Sequence, residues 1–268
     1  MKKIKISQIQ FEAKSTPVEN AKLLKKYFEK TKKFSPDLIC TPECSNIITN
    51  DKNYLIKNTT YEANCPIISM VKLYAKKNNV NINIGSLLLR EKNKKKLVNR
   101  SFFINTKGMI VKRYDKIHMF DVNISKKETH RESDTFQAGK NIALLNVSKV
   151  KIGLTICYDL RFPNLFRSLA KKGAQIILMP AAFTVPSGRA HWEIMLRSRA
   201  IENSLFVIAT NMCGTHHTNR KTYGHSILVN PWGELVSKAK STPKILNTKI
   251  NLMEIINARK KIPAILND

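Results

Sequence analysis

The sequence predicts an α/β fold with mixed sheets. Strand and helix periodicities alternate along the 268 residues, which is typical of α/β proteins. Three predicted strands, at 81–89, 97–105 and 109–114, follow one another without a helix between them, which indicates antiparallel neighbours. We see no linker or shift in composition, and we therefore expect one domain over residues 1–268.

The first half of the chain alternates between strands and helices and then loses its periodicity. Ile4, Ile6 and Ile9 alternate with polar residues, and Pro17 opens a segment with apolar residues at helical spacing. The predicted strands are 3–10, 37–43, 81–89, 97–105 and 109–114, and the predicted helices are 17–34 and 66–77. Residues 115–140 are polar and irregular, and we expect a functional or disordered loop there.

The second half resumes with a strand, an elbow and a helix. After this unit we predict strands at 175–179, 205–211, 225–230, 234–238 and 245–250, and helices at 190–203 and 252–261. Pro180 is expected to stop the strand that precedes it, because proline removes a backbone donor.

Composition and cysteine content bound the class of protein. Hydrophobic residues make up 43% and charged residues 25%, which is typical of a globular chain, and no apolar run approaches the roughly 18–20 residues of a membrane span. The N-terminus has no continuous apolar signal segment. Five cysteines are an odd number and lack paired metal-ligand spacing. We therefore expect a cytoplasmic protein with reduced thiols and no membrane partner.

The chain is strongly basic, with 47 Lys and Arg against 19 Asp and Glu and a formal charge of +28. Basic surfaces bind phosphate backbones, so nucleic-acid binding must be weighed. The lysines lie in short dispersed groups without interleaved aromatic residues, which indicates solvated surface and weak adhesion to polyanions. We expect no specific nucleic-acid partner, and a polyanion-binding or scaffold protein is the non-enzyme alternative.

The segment Val150 to Pro163, VKIGLTICYDLRFP, places a cysteine where a strand ends. Alternating apolar residues stop at Cys157, and Pro163 then opens a helix. A nucleophile on such an elbow is exposed while its backbone is held rigid. The alternative is a buried core thiol, because free cysteine is among the most buried residue types.

Two further polar residues lie at predicted strand ends, Glu43 in TPECSN and Lys116 in RYDKIHMFD. Together with Cys157 they form a sufficient set for attack on an amide, since a thiol needs a base and the oxyanion needs a cation. A nearby ammonium favours the thiolate, and a buried carboxylate favours the protonated acid. Spacing alone does not show that the three converge; the alternative is a core thiol and two loop residues.

Several blocks resemble those of a known family. TPE at 41–43, YDKIHMFD at 114–121 and ICYDLRFPNLFRSLAKKGAQIILMPAAF at 156–183 are similar, in order and separation, to the signature blocks of the nitrilase superfamily, the carbon–nitrogen hydrolases. The resemblance continues through 188–203 and 223–234, and so covers essentially the whole chain.

The resemblance implies a role for each block. Cys157 corresponds to the nucleophile, Glu43 to the general base and acid, and Lys116 to the oxyanion stabiliser. The backbone N–H of Tyr158 corresponds to a second oxyanion donor, and Glu132 to a second glutamate beside the triad. Glu128 lies near Glu132 in sequence and is the alternative for that last position.

The resemblance also implies a four-layer α-β-β-α sandwich with two mixed sheets, which pairs through helices into a homodimer or a higher homo-oligomer. The implied reaction is hydrolysis of an amide C–N bond through a cysteine thioester, with release of ammonia or an amine. No metal or organic cofactor is implied. His216 and His217 are adjacent and cannot both face one site from a strand, so we expect a polar loop there.

Within the superfamily the chain resembles the branch of deaminated-glutathione amidases and ω-amidases, through CGTHHTNRKTYGHS at 213–226. This predicts a small amide that carries a carboxylate, and N-carbamoyl amine or nitrile hydrolysis are the alternatives. Phe183, Thr184 and Arg189 follow a strand end and are candidate substrate-binding residues, with Arg189 as the cation for the carboxylate.

Overall fold

The computed structural model describes residues 3–125, 128–265 and 267. In the first part of the chain the elements are β1 (Lys3–Gln10), α1 (Pro17–Thr31), β2 (Leu38–Cys40), α2 (Lys52–Asn58), α3 (Pro66–Asn78), β3 (Asn81–Leu89), β4 (Val98–Ile104), β5 (Ile110–Asp115), β6 (Asp121–Ser125), β7 (Glu128–Arg131) and β8 (Ala143–Val147). They continue with β9 (Val150–Leu154), α4 (Pro163–Lys171), β10 (Ile176–Ala181), α5 (Val185–Asn203), β11 (Phe206–Asn211), β12 (Cys213–Thr215), β13 (Lys221–Tyr223), β14 (Ile227–Val229), β15 (Leu235–Lys238), β16 (Lys244–Asn251) and α6 (Met253–Lys261).

Two six-stranded sheets form the centre of the molecule. The first sheet has the order β16-β1-β2-β3-β4-β5 and the second has the order β8-β9-β10-β11-β14-β15. In both, the first pair is antiparallel, the next two pairs are parallel and the last two are antiparallel. The predicted mixed sheets are therefore confirmed, and the two sheets share one arrangement of strand directions.

Alternating side chains divide the core into layers. In β2, Leu38 and Cys40 pack in one cluster with the second sheet and with α4 and α5, whereas Ile39 packs in another cluster with α1 and α3. Because successive residues of a strand point to opposite faces, this division places helices outside both sheets and the two sheets against each other. The predicted α-β-β-α sandwich is confirmed.

The two sheets approach closely beside β3 and β10. A Cβ atom on Gly85 would lie 2.0 Å from the carbonyl oxygen of Thr41 and 2.5 Å from the Cβ of Pro180. Only glycine fits here, because any side chain would overlap the backbone after β2. This contact brings the ends of β2 and β10 together at one edge of the sandwich.

Three expectations about the elements are wrong, and the loop predicted at His216 and His217 is confirmed, since both lie in the connection between β12 and β13. The region 115–140 contains the hairpin β6–β7 and is not irregular throughout. Strand β10 passes through Pro180, because its pairing with β9 ends at Leu178 and no donor is required on that side beyond it. Helix α5 begins at Val185, five residues before the predicted start at 190, with Pro186 in its first turn.

No helix within the described ranges is both long enough and apolar enough to cross a membrane.

Candidate active site

Cys157 lies on the predicted elbow. Strand β9 ends at Leu154, and a 3₁₀ turn runs from Cys157 to Arg161 before Pro163 starts α4. The backbone of Cys157 has φ +50°, a left-handed conformation that is uncommon for a residue with a side chain. Such strained positions concentrate at functional sites, where they aim a side chain into a cleft. Cys157 as a whole residue is 8% exposed.

Glu43 follows β2 and is buried between the two sheets. Its Oε1 accepts a hydrogen bond from Asn99 Nδ2 of β4 at 2.9 Å, and its Oε2 accepts one from the backbone N–H of Ala182, just after β10, at 2.9 Å. A hydrogen bond also joins its carboxylate to the Cys157 thiol. Glu43 is therefore held by donors from both sheets in contact with the candidate nucleophile.

Lys116 follows β5 and lies between two glutamates. Its Nζ is 3.0 Å from Oε1 of Glu43 and 2.8 Å from Oε2 of Glu132, and the side chain is 2% exposed. Glu132 also accepts a hydrogen bond from the N–H of Phe120 at 2.6 Å. The structure thus brings together Glu43, Lys116, Cys157 and Glu132; the side chain of the alternative Glu128 lies outside the described residues.

The electrostatics of the cluster determine its protonation. Burial opposes ionisation of Glu43, but the charge of Lys116 and the hydrogen bonds from Cys157, Lys116 and Asn99 outweigh burial and lower the pKa of Glu43. Burial likewise disfavours the ammonium of Lys116, yet Glu132 and Glu43 hold its pKa well above the usual value. Burial and the charge of Glu43 raise the pKa of Cys157 well above that of a free thiol.

The resting pair is therefore a thiol and a carboxylate. Lys116 does favour the thiolate and burial does favour protonated Glu43, as expected, but neither effect decides the net pKa: burial and Glu43 outweigh Lys116 at the thiol, and Lys116 with the hydrogen bonds outweighs burial at Glu43. The ammonium interacts with two carboxylates, so its charge is largely offset where the thiol lies. Glu43 is left in the basic form, hydrogen-bonded to the proton that must be removed.

A second buried cluster ties the elbow to the segment that carries Lys116. Asp159, in the elbow turn, accepts hydrogen bonds from the N–H of Ile156 at 2.8 Å, from Tyr114 Oη at 2.7 Å and from the N–H of His118 at 3.1 Å. Its carboxylate also lies 2.7 Å from Nδ1 of His118. Because Tyr114 and His118 flank Lys116, one buried carboxylate positions both the cation and the nucleophile.

A cavity of about 440 Å³ opens onto these residues. Besides Glu43, Lys116, Cys157 and Glu132, it is lined by the predicted residues Tyr158, Phe183 and Thr184. Arg189 is exposed on α5 and does not line the cavity, so the expectation that it binds substrate is wrong. The reason is the helix boundary: the sequence pattern predicts a loop at Arg189, whereas Arg189 belongs to the first turns of α5.

Sequence reasoning missed other residues of the cavity and its supports. Asn99 donates to both Glu43 and Glu132 through Nδ2, at 2.9 and 3.3 Å. Asn99 could have been recognised from the sequence as a polar residue inside a predicted strand that is buried in the structure. Besides Lys116, four cationic side chains line the cavity: Lys52, Arg131, Arg161 and Arg220. They come from separate elements, and no motif links them.

Within the ranges that the structure describes, no group of three or more His, Cys, Asp or Glu is arranged to hold a metal ion. The chemistry that the cluster supports is acyl transfer by a thiol, with a carboxylate base and a fixed cation beside it.

The fold and this cluster define a class of enzyme. The family model for carbon–nitrogen hydrolases matches residues 5–260, and the chain belongs to that family. It is an amidase, an enzyme that hydrolyses amide carbon–nitrogen bonds.

Individual relatives agree with this assignment. The chain is 37% identical to a deaminated glutathione amidase of Yersinia enterocolitica over 85% of this chain and 80% of that protein. It is 35% identical to a deaminated glutathione amidase of Dictyostelium discoideum over 98% and 92%. Among solved structures, the C. elegans NitFhit protein superposes with a TM-score of 0.92 at 30% identity, over 99% of this chain and 65% of that chain.

Proposed function

We propose that this amidase cleaves small amides that carry a carboxylate, deaminated glutathione or a related ω-amide, through a thioester on Cys157. Glu43 acts as the base and then the acid, and Lys116 stabilises the oxyanion. The observation that carries the proposal is the contact of a thiol, a carboxylate and an ammonium in one cavity, with the thiol on a left-handed backbone position.

The first half of the reaction forms the acyl-enzyme. Glu43 accepts the thiol proton as the sulfur of Cys157 attacks the amide carbon, and the carbonyl oxygen becomes an oxyanion beside Lys116 and the N–H of Tyr158. The carbon–nitrogen bond then breaks, and the proton held by Glu43 passes to the leaving nitrogen. Ammonia or an amine departs, and the acyl group remains on sulfur.

The second half regenerates the enzyme. Glu43 takes a proton from a water molecule whose oxygen attacks the thioester carbon, and the oxyanion forms again in the same place. The carbon–sulfur bond breaks, the thiolate takes back the proton, and a carboxylic acid leaves. Glu132 fixes Lys116 throughout, because it accepts two hydrogen bonds from Nζ and one from the backbone of Phe120.

A carboxylate-bearing substrate is supported by the cations of the cavity and by the similarity to deaminated glutathione amidases. We assign the binding of this carboxylate to Arg161 and not to Arg189. Arg161 lies four residues after Cys157, its guanidinium is 3.1 Å from Nδ1 of His191, and it stacks over the ring of Tyr158 at 5.7 Å. These contacts hold a charged fork on the cavity wall, which suits bidentate binding of a carboxylate.

Product release from a panel of amides tests this function. Amides with a far carboxylate should be hydrolysed faster than neutral amides of the same length, N-carbamoyl amines and nitriles. Arg161→Gln should raise KM for the acids more than it lowers kcat, as expected when uniform binding is lost. Arg189→Gln, on the exposed side of α5, is the matched control and should behave as wild type.

Other results would change the assignment. Preferred turnover of a carbamoyl compound or a nitrile would identify one of those two activities instead. Equal rates on charged and neutral amides would remove the carboxylate from the proposal. Absence of turnover on every compound of the panel, with a folded protein, would favour a scaffold or polyanion-binding role.

The chain is also proposed to act as a homodimer or a higher homo-oligomer. Large apolar side chains are exposed on α5, on the β14–β15 turn and on α6: Ile194, Ile201, Trp232 and Ile256. Ile201 packs beside Gly233 of the turn. Large apolar side chains exposed near one another are typical of a protein contact surface. Sedimentation should show a dimer that Ile201→Glu dissociates, and a monomeric wild type would contradict the proposal.

A cytoplasmic location is proposed on chemical grounds. All five cysteines are free and buried, and the candidate nucleophile must remain a reduced thiol. Fractionation of cells that express the native protein tests this location, and recovery outside the cytoplasm would contradict it.

A further inference from the structure

Asn99 is a buried amide of β4 that contacts every charged member of the site. The residue is 1% exposed. Its Nδ2 donates to Oε1 of Glu43 at 2.9 Å and to Oε1 of Glu132 at 3.3 Å. Its backbone carbonyl oxygen accepts a hydrogen bond from the N–H of Lys116 at 3.0 Å. One residue therefore binds two glutamates through its side chain and the lysine through its backbone.

Asn99 and Lys116 donate to the same two oxygen atoms. Lys116 Nζ lies 3.0 Å from Oε1 of Glu43 and 3.1 Å from Oε1 of Glu132. These are the two atoms that accept from Asn99 Nδ2. Two donors and two acceptors thus alternate in a closed ring. Because the amide carries no charge, the ring holds two carboxylates around a single ammonium.

The ring determines the orientation of the Asn99 amide. An asparagine side chain has two N–H donors at Nδ2 and an acceptor at Oδ1. Exchange of Nδ2 and Oδ1 would place a carbonyl oxygen against two carboxylate oxygens. In the orientation present, Oδ1 is buried and accepts no hydrogen bond from the described residues, which costs free energy. The part of Asn99 that stabilises the site is therefore its pair of N–H groups.

The titratable groups around Glu43 carry an excess of negative charge. Glu43 and Glu132 share Lys116 as their cation. The thiols of Cys44 and Cys157 add no charge, because burial and the charge of Glu43 raise the pKa of both. Two carboxylates in one buried site repel each other, and this repulsion favours uptake of a proton by one of them.

A neutral donor opposes that uptake. Burial raises the pKa of Glu43, whereas the charge of Lys116 and the hydrogen bonds from Cys157, Lys116 and Asn99 lower it. A cation in the place of Asn99 would lower it further and would make Glu43 a weaker base for the thiol proton. An amide keeps the carboxylate ionised without adding a charge.

We propose that Asn99 is a positioning residue that joins the two glutamates around Lys116 and keeps the base free of a proton in the resting enzyme. This rests on the proposed function, in which Glu43 removes the proton of the thiol. Asn99 is not among the residues that line the cavity, so it acts through Glu43 and Lys116 and not through contact with the substrate.

The dependence of kcat/KM on pH tests the proposal, with ammonia release from glutaramic acid, an ω-amide acid, as the assay. This ratio reports the ionisation of the free enzyme. Asn99→Leu has a similar volume and lacks both N–H groups. Loss of a hydrogen bond to the charged form raises the pKa of a carboxyl group, so the acid limb should move to higher pH by about one unit, the scale of such a bond.

The loss of kcat/KM in Asn99→Leu should therefore depend on pH. It should be largest below the limb, on the order of 10-fold for a shift of one unit. It should be smaller above the limb, where Glu43 is ionised in both enzymes. If Asn99→Leu does not fold, Asn99→Ala takes its place, because it removes the same N–H groups, and it should shift the limb in the same direction.

Asn83→Leu is the matched control. Asn83 is a buried asparagine of the neighbouring strand β3, and its Nδ2 donates to Ser101 Oγ at 3.1 Å and to the carbonyl oxygen of Phe102 at 3.2 Å. The substitution removes two buried hydrogen bonds from the same sheet, and neither of them reaches the glutamates. It should lower the melting temperature and leave the acid limb where it lies in the wild type.

The possible failures are distinguishable. An unchanged acid limb in Asn99→Leu, or a loss of kcat/KM that is equal at every pH, would overturn the role of Asn99 while the wild type still hydrolysed glutaramic acid. An equal shift of the limb in Asn83→Leu would also overturn it, since the shift would then follow from loosening of the sheet. Absence of turnover by the folded wild type would instead contradict the proposed function.

Discussion

The two sheets have the same arrangement of strand directions, but they supply different chemistry. The first sheet presents fixed charges at its edge, with Glu43 after β2 and Lys116 after β5. The second presents a thiol, Cys157, after β9. By position in the sheet, β10 corresponds to β2 and β15 corresponds to β5. The residue after β10 is Ala182 and the residue after β15 is Ala239, so neither of these strands is followed by a charged residue. The shared arrangement brings the strand ends together, and the side chains differ in function.

The two sheets also hold their groups by different means. The charges of the first sheet are held by side-chain and backbone hydrogen bonds, including one from Ala182 of the second sheet to Glu43. The thiol is held by its backbone, through a left-handed Cys157 and a 3₁₀ turn. A buried charge must be surrounded by hydrogen-bond donors or acceptors, whereas a buried neutral thiol needs only a backbone conformation that points its side chain into the cavity. Substitutions in the two sheets should therefore have different effects.

The largest effect is expected from Cys157→Ala. It removes the atom that carries the acyl group, so turnover should be abolished while little buried volume is lost. Intact-mass measurement with a slow substrate should show an adduct on the wild type and none on the variant. Cys40→Ala, a buried thiol of the first sheet, is the control and should keep the adduct. Appreciable turnover by Cys157→Ala would exclude the thioester.

Lys116→Met should have the next largest effect. The oxyanion loses its fixed charge, which costs on the order of 100-fold or more in kcat. Lys116→Arg should not restore the rate, since a planar guanidinium occupies different space from an ammonium. Lys112→Met on the preceding strand β5 controls for loss of a lysine. Steady-state kinetics with circular dichroism separates chemistry from folding, and near-normal turnover would move the oxyanion role elsewhere.

Asp159→Asn should have an intermediate effect, because it loosens the link between the elbow and the segment with Lys116. An amide cannot accept all the hydrogen bonds that the carboxylate receives from Ile156, Tyr114 and His118. We expect a loss of about 1.5–3 kcal/mol in the free energy of unfolding, the scale of hydrogen bonds to a buried charge.

For Asp159→Asn, kcat should fall by a larger factor than KM changes. The reason is that the substitution disturbs the relative positions of Lys116 and Cys157 and leaves substrate binding intact. Asp115→Asn, whose partner is Arg100 on the neighbouring strand β4, removes a carboxylate of the same region without touching the elbow. Equal losses of kcat in the two variants would indicate a general effect on stability and would contradict the positioning role.

The smallest effect concerns the surface. The net charge of +28 should produce weak oligonucleotide binding without sequence preference, lost by physiological salt, because dispersed lysines release counterions but read no bases. Filter binding across a salt series measures this. A sequence-preferring complex that survives high salt would revive a nucleic-acid role.

Much of the fold followed from local patterns. The alternation in 3–10, the apolar spacing after Pro17 and the strand before Cys157 each predict an element that the structure contains. The wrong boundaries at Pro180 and Val185 share a cause: proline is tolerated where no backbone donor is needed, and that depends on the neighbouring strand or on the helix turn.

The candidate site divides in the same way. By itself the sequence determined the elbow, the family resemblance, and the identities of Glu43, Lys116 and Cys157, since these depend on residue type and order. Only the tertiary structure decided that Glu43 is ionised beside a neutral thiol, and that Arg161 and Arg220, rather than Arg189, face the cavity. Protonation and pocket lining depend on distances between segments far apart in the chain, and local sequence patterns do not encode such distances.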